Sequence, residues 1–162
     1  MKQEAGKHKT TLFIVLFFEV SLWTSRQVYA SEYAIGADLS FLKQVEERGT
    51  IFKDNGETKP GLQIFRDHGY NWIRLRLFHT PTRLPNNLEY TIDLAKEAKK
   101  LGFKFLLDYH YSDTWADPGK QFIPKAWKGK SHTELVEAVF EYTRDTIIAF
   151  RDADVLPDMV QP

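Results

Sequence analysis

Two stretches decide how the fold reads: Trp72-Ile73-Arg74-Leu75-Arg76-Leu77-Phe78 and Phe103-Lys104-Phe105-Leu106-Leu107-Asp108-Tyr109-His110. Successive side chains of a β-strand point to opposite faces. The first stretch therefore puts Ile73, Leu75 and Leu77 on one face and Arg74 and Arg76 on the other. The second groups Phe103, Phe105, Leu107 and Tyr109 and sets Leu106, Asp108 and His110 opposite them. Strands inside a parallel sheet are normally apolar on both faces, and an unpaired buried charge is costly. The charged faces read either as an edge strand with a wet side or as the lining of a barrel, where arginines meet acidic groups. The same anomaly on two neighbouring strands favours the barrel interior.

The flanking sequence supplies the rest of a repeating pattern. Tyr33 to Ala37 is a short apolar run that ends at Asp38, and Ser40 suits the N-cap of a helix from Phe41 to Arg48 stopped by Gly49. Lys53-Asp54-Asn55-Gly56 is turn chemistry. Pro60 fits the first turn of a helix running to about His68 and ending at Gly69. After a loop with Pro81 and Pro85, the stripe Leu88, Ile92, Ala95 and Lys99 predicts a helix ended by Gly102. Ser131 and Glu134 form a capping box, opening a helix with Leu135, Val139, Tyr142 and Phe150 on its apolar stripe. Val155 to Gln161 reads as a fourth strand. The order β-α-β-α-β-α-β calls for parallel strands joined by right-handed helical crossovers. In such α/β folds, sites are built at the carboxyl ends of the strands.

The loop from Tyr111 to about Lys130 leaves such a strand end. Tyr111-Ser112-Asp113-Thr114-Trp115-Ala116-Asp117-Pro118 places an indole between two aspartates, with Trp127 further on. A flat apolar ring can stack on the C–H face of a pyranose, and carboxylates can accept hydrogen bonds from sugar hydroxyls. The alternative for both tryptophans is that they pin a long loop onto the core. Glu134, Glu137 and Glu141 read as a solvated helix face. No Gly-rich phosphate loop, His-rich metal spacing or Gly-x-Ser-x-Gly elbow occurs, so no metal and no cofactor is expected.

Composition narrows the classes further. Lys+Arg number 22 and Asp+Glu 22, a balance that argues against nucleic acid as a partner. The chain has no cysteine, which excludes a disulfide framework, a thiolate metal site and a cysteine nucleophile. Hydrophobic residues make up 43% and aromatic residues 14%, enough for a packed core and against disorder. The first thirty residues show the layout of a secretory signal peptide: Lys2, Lys7 and Lys9, the apolar run Leu12 to Phe18, then Val28-Tyr29-Ala30. A membrane anchor is the competing reading, but the run is short for ~30 Å of hydrocarbon and Glu19 interrupts it. The expectation is a secreted chain from Ser31, extracellular or periplasmic, with no membrane partner after cleavage.

These residues resemble a known family. Gly36-Ala37-Asp38-Leu39-Ser40 with Val45-Glu46-Glu47-Arg48-Gly49 is similar to the opening of the endo-β-1,4-galactanases of glycoside hydrolase family 53. Ile73-Arg74-Leu75-Arg76-Leu77 resembles their second barrel strand, and Asp108-Tyr109-His110-Tyr111-Ser112-Asp113-Thr114-Trp115-Ala116-Asp117-Pro118 their third strand and loop. The resemblance implies a (β/α)8 TIM-barrel lineage and retaining hydrolysis of β-1,4-galactan in arabinogalactan. It implies that Arg74 sits by the nucleophile, that His110 belongs to the active-site floor and that Trp115 stacks on the sugar. Asp38 and Asp108 match motif positions near the site, and Ser112, Asp113 and Asp117 match positions on the substrate side. In the family the fourth strand runs into Gly-Asn-Glu, the general acid/base, and the nucleophile Glu comes from the seventh strand. Here Asp158-Met159-Val160-Gln161 is followed by Pro162. The expectation is that residues 31–162 are the N-terminal half of a barrel, about four parallel strands, with both catalytic glutamates outside this chain and no hydrolysis by it alone. The alternatives are a non-catalytic carbohydrate-binding fragment and an inactive truncated product. A half barrel would also leave two strand edges open to self-association.

Overall fold

The alternation in the two defining stretches is realised as the middle of one parallel sheet. The computed structural model describes residues 33–162, so the signal segment expected over residues 1–30 lies outside them. In chain order the elements are β1 (Gly36–Asp38), α1 (Leu42–Glu47), β2 (Lys53–Asp54), β3 (Glu57–Thr58), α2 (Gly61–Asp67), β4 (Trp72–Phe78), α3 (Leu88–Lys100), β5 (Lys104–His110), a 3-10 turn (Lys125–Trp127), α4 (His132–Asp152) and β6 (Met159–Gln161). The strand order is β1-β4-β5-β6, and every pairing in that sheet is parallel. The register sets Asp38 beside Arg74, Arg76 beside Asp108 and Phe78 beside His110.

Ile73, Leu75, Leu77, Phe105 and Leu107 face the helices and are each at most 1% exposed. They pack with Leu94, Ala95 and Ala98 of α3 and Phe150 of α4 in one cluster. At roughly 25 cal/mol per Å² of apolar surface removed from water, this face dominates stability in a chain with no cross-links. α4 is fastened to the sheet by side-chain hydroxyls as well. Tyr109 and Thr146 meet through their side-chain oxygens at 2.5 Å, and Tyr142 donates to the Phe78 carbonyl at 3.2 Å. The capping box is present: Ser131 Oγ accepts from Glu134 N while Glu134 accepts from Ser131 N.

Several expected boundaries move, each for a physical reason. Ser40 does not cap α1; the N-cap is Phe41, with no side-chain cap bond. The Ser40 hydroxyl is engaged instead by the neighbouring Asp38 carboxylate and, across the sheet, by the backbone N–H of Arg76 in β4. Lys53 to Gly56 does turn, and it joins the short antiparallel pair β2 and β3, with Asn55 and Gly56 at positive φ as such a tight turn demands. α3 buries Thr91, Leu94, Ala95 and Ala98; of the expected stripe, Ala95 is in the core, Leu88 and Ile92 are half-buried against it, and Lys99 is not part of it. The small Ala side chains let the helix approach the sheet, and Lys99 turns aside to pair with Asp158 at 2.5 Å. β6 is three residues long. Pro157 has no N–H for a ladder, and at Asp158 a side-chain oxygen takes the Phe105 N–H at 2.9 Å. Val155 ends in the core, 5% exposed.

Candidate functional site

The other face of the same sheet gathers charge. Asp38 Oδ2 accepts from Arg74 Nε at 2.8 Å and from Arg76 Nη2 at 2.8 Å. Its second oxygen accepts from the Ser40 hydroxyl at 2.6 Å. Asp108 Oδ2 lies 3.7 Å from Arg74, 3.8 Å from Arg76 and 3.4 Å from His110 Nε2. Two guanidinium groups thus face two carboxylates, which removes most of the cost of placing arginine on a sheet. Burial disfavours the charged form of Asp38, but the Ser40 bonds and then Arg74 and Arg76 outweigh it. The carboxyl is held below its ordinary range.

Asp38, Arg74, Arg76, Asp108, His110 and Trp115 are brought together on this face: Asp38 and His110 end β1 and β5, Arg74, Arg76 and Asp108 lie within β4 and β5, and Trp115 comes from the loop after β5. His110 stacks on Phe78 with ring centres 4.7 Å apart, and Trp115 lies 5.9 Å from His110. The Arg76 guanidinium lies 4.5 Å from the Trp115 ring centre. The indole remains 40% exposed. Beside it, a cavity of about 470 Å³ is lined by His110, Ala116, Phe122, Ile123 and Trp127 among others.

The remaining loop residues are held by hydrogen bonds within the loops. Asp113 accepts from Thr80 N at 3.1 Å and Lys125 N at 2.8 Å, so its two oxygens tie the loop after β4 to the loop after β5. Asp117 accepts from Gly119 N at 2.9 Å and shapes a local turn. Ser112 is 2% exposed, and its hydroxyl accepts from Thr114 N at 3.4 Å. Backbone N–H groups within the loops thus hold all three, and Ser112 and Asp113 also line a cavity between the loops after β4 and β5. Trp127 is 7% exposed and packs edge-on against His79 and Tyr142, so it pins the loop, the structural one of its two readings.

Sequence reasoning passed over His79 and Asn86. His79 directly follows β4 and lies between Trp127, Tyr142 and Asp113; burial lowers its pKa and Asp113 opposes this only in part. Asn86 donates to the Ser40 carbonyl at 2.7 Å, and its own carbonyl accepts from Phe78 N. Their one sequence signal is position, in the segment that leaves a charged strand. Among the described residues, no group of three His, Asp or Glu is arranged to hold a metal.

Comparison with known proteins gives one answer. The profile described as glycosyl hydrolase family 53 matches residues 34–162. An arabinogalactan endo-beta-1,4-galactanase of Cellvibrio japonicus is 42% identical over 131 residues, 80% of this chain and 35% of that protein. One from Humicola insolens is 36% identical over 126 residues, 77% of this chain and 38% of its own length. Among solved structures, a fungal beta-1,4-galactanase superposes with a TM-score of 0.75 at 36% identity, covering 80% of this chain and 39% of that one. The catalytic domain from Ignisphaera aggregans gives 0.73 at 41%, covering 78% and 38%. The chain therefore spans little more than a third of the relatives it matches. Its four parallel strands and their helices correspond to half of a (β/α)8 barrel.

Proposed function

The chain belongs to glycosyl hydrolase family 53, and on that premise we propose that its charged sheet face and Trp115 loop form one side of an endo-β-1,4-galactanase cleft in a secreted protein. The observation that carries this is the half-exposed Trp115 indole above a set of mutually paired charges on one face of the sheet. The indole offers a stacking face for galactose. Arg74, more exposed than Arg76 at 35% against 15%, is the arginine suited to hold an ionised carboxylate brought against the sheet.

In the retaining reaction one Glu protonates the leaving oxygen and a second forms the glycosyl-enzyme, across a gap of about 5–5.5 Å. We assign neither role to the aspartates of this face: Asp38 is held ionised, the wrong state for a general acid, and both its oxygens are bound by Ser40, Arg74 and Arg76, while Asp108 is buried among Arg74, Arg76 and His110. Residues 33–162 alone therefore bind and orient galactan without cleaving it. Reducing-sugar release from linear galactan should be at background for the chain alone, while tryptophan fluorescence should respond to galacto-oligosaccharides more than to cello- or manno-oligosaccharides. Turnover by the short chain, or equal response to all three sugars, would overturn this reading.

We also propose self-association through the open sheet edges. β1 and β6 each have one strand neighbour among the described residues. Exposed apolar side chains collect at both ends: Tyr33 and Ile35 beside β1, and Leu156, Met159 and Val160 at β6. Sedimentation should show concentration-dependent oligomers that Val160→Lys weakens, since a charge on an edge strand blocks pairing. A monomer at all concentrations would refute it.

A further inference from the structure

Arg74 and Arg76 share Asp38, but only Arg76 touches Trp115. We propose that Arg76 is a positioning residue for Trp115: its guanidinium plane holds the indole ready to stack on a sugar, without touching the sugar itself. The proposal rests on the galactan-binding reading for its ligand, and on geometry alone for the positioning.

Trp115 sits in an irregular segment, so its backbone does not fix its ring. Its loop is anchored earlier, through Ser112 and Asp113. Among the described residues the indole has two ring neighbours, Arg76 at 4.5 Å and His110 at 5.9 Å. Arg76, by contrast, stands on a seven-residue strand with a neighbour on each side. Its backbone N–H donates to Ser40 Oγ at 2.9 Å and its Nη2 is held by Asp38. The immobile partner of the pair is therefore the arginine.

A further detail points the same way. Arg76 Nε is buried and has no hydrogen-bond partner, although Asp108 Oδ2 is 3.8 Å away. A guanidinium placed for hydrogen bonding alone would close that gap. Here the group lies against the indole with one N–H unbonded. A planar cation suits this stacking better than an ammonium does, and attraction between a cation and an indole strengthens where water is excluded. Arg76 is 15% exposed and Trp115 40%, so the arginine backs the ring while indole surface stays open.

The test is a double-mutant cycle read with β-1,4-galactotetraose. Arg76→Leu is expected to weaken binding by about tenfold, roughly 1.4 kcal/mol, and to have no further effect in a Trp115→Ala background. An equal loss in both backgrounds would overturn the proposal, because Arg76 would then act independently of the indole. A second readout needs no sugar: the near-ultraviolet circular-dichroism difference between wild type and Trp115→Phe. Arg76→Leu should abolish that difference, and its survival unchanged would overturn the positioning role even if the chain binds no galactan. Arg76→Lys keeps a cation for Asp38 and guards against misfolding. It should leave the melt near that of wild type and restore the dichroism only in part; full restoration would refute the planar contact.

Discussion

The two faces of β4 and β5 come from one backbone and alternate residue by residue, yet they are built on different physics. Toward the helices, Ile73, Leu75, Leu77, Phe105 and Leu107 are apolar and at most 1% exposed. Away from them, Arg74, Arg76, Asp108 and His110 are polar, 10–35% exposed by side chain, and satisfied mainly by one another. The first face contributes area removed from water, which is tolerant of partner identity. The second depends on matched charge, so each member matters to its neighbours more than to the fold. Apolar burial and matched charge are thereby separated across the thickness of one strand.

That separation can be broken, or sharpened, by substitution. Phe105→Ala on the helix side should cost about 3–5 kcal/mol by leaving a cavity in the core, seen as a large fall in the denaturation midpoint. Oligosaccharide affinity per folded molecule should stay unchanged. Asp38→Ala should cost less stability, about 1–3 kcal/mol from lost charge-assisted hydrogen bonds, while affinity falls because Arg74 and Arg76 lose their shared anchor. A stability loss for Asp38→Ala matching that of Phe105→Ala would erase the distinction between the faces.

Smaller effects probe the boundary. His79 has a folded pKa below its unfolded value of about 6.5. Its contribution is complete above pH 6.5 and is lost as the pH falls through the lowered folded pKa, because the unfolded chain takes up the proton first. Asp113 and Tyr142 face it and remain in place. The melting temperature should therefore drop between pH 7 and pH 5, and the drop should be shallower in His79→Gln. Trp115→Ala should give the smallest stability change, about 1 kcal/mol or less, with the clearest loss of sugar response.

The fold was legible where local pattern and tertiary demand agree. Alternation over Trp72–Phe78, the Ser131 capping box and the glycines after α1, α2 and α3, all at positive φ, need no distant partner to be read. The charged cluster was legible because two strands carried the same anomaly. What escaped was the use of short polar side chains over long separations. Ser40 has the form of a helix cap, but its hydroxyl serves Asp38 and the backbone of Arg76, 36 residues away. Asp113 has the form of a sugar ligand, and the sequence gives no sign that it also bonds Thr80 and Lys125, 33 and 12 residues distant. Composition and spacing give the chemistry of such groups without saying which partner wins.

The Asp113 brace also bears on how freely these loops can change. Both of its bonds are to main-chain N–H groups, which every residue but proline carries. The brace is therefore indifferent to the side chains at positions 80 and 125. Mutation can explore those two places while the loops stay joined, with proline the one replacement that severs them. A single carboxylate thus leaves room for variation in the two loops it joins.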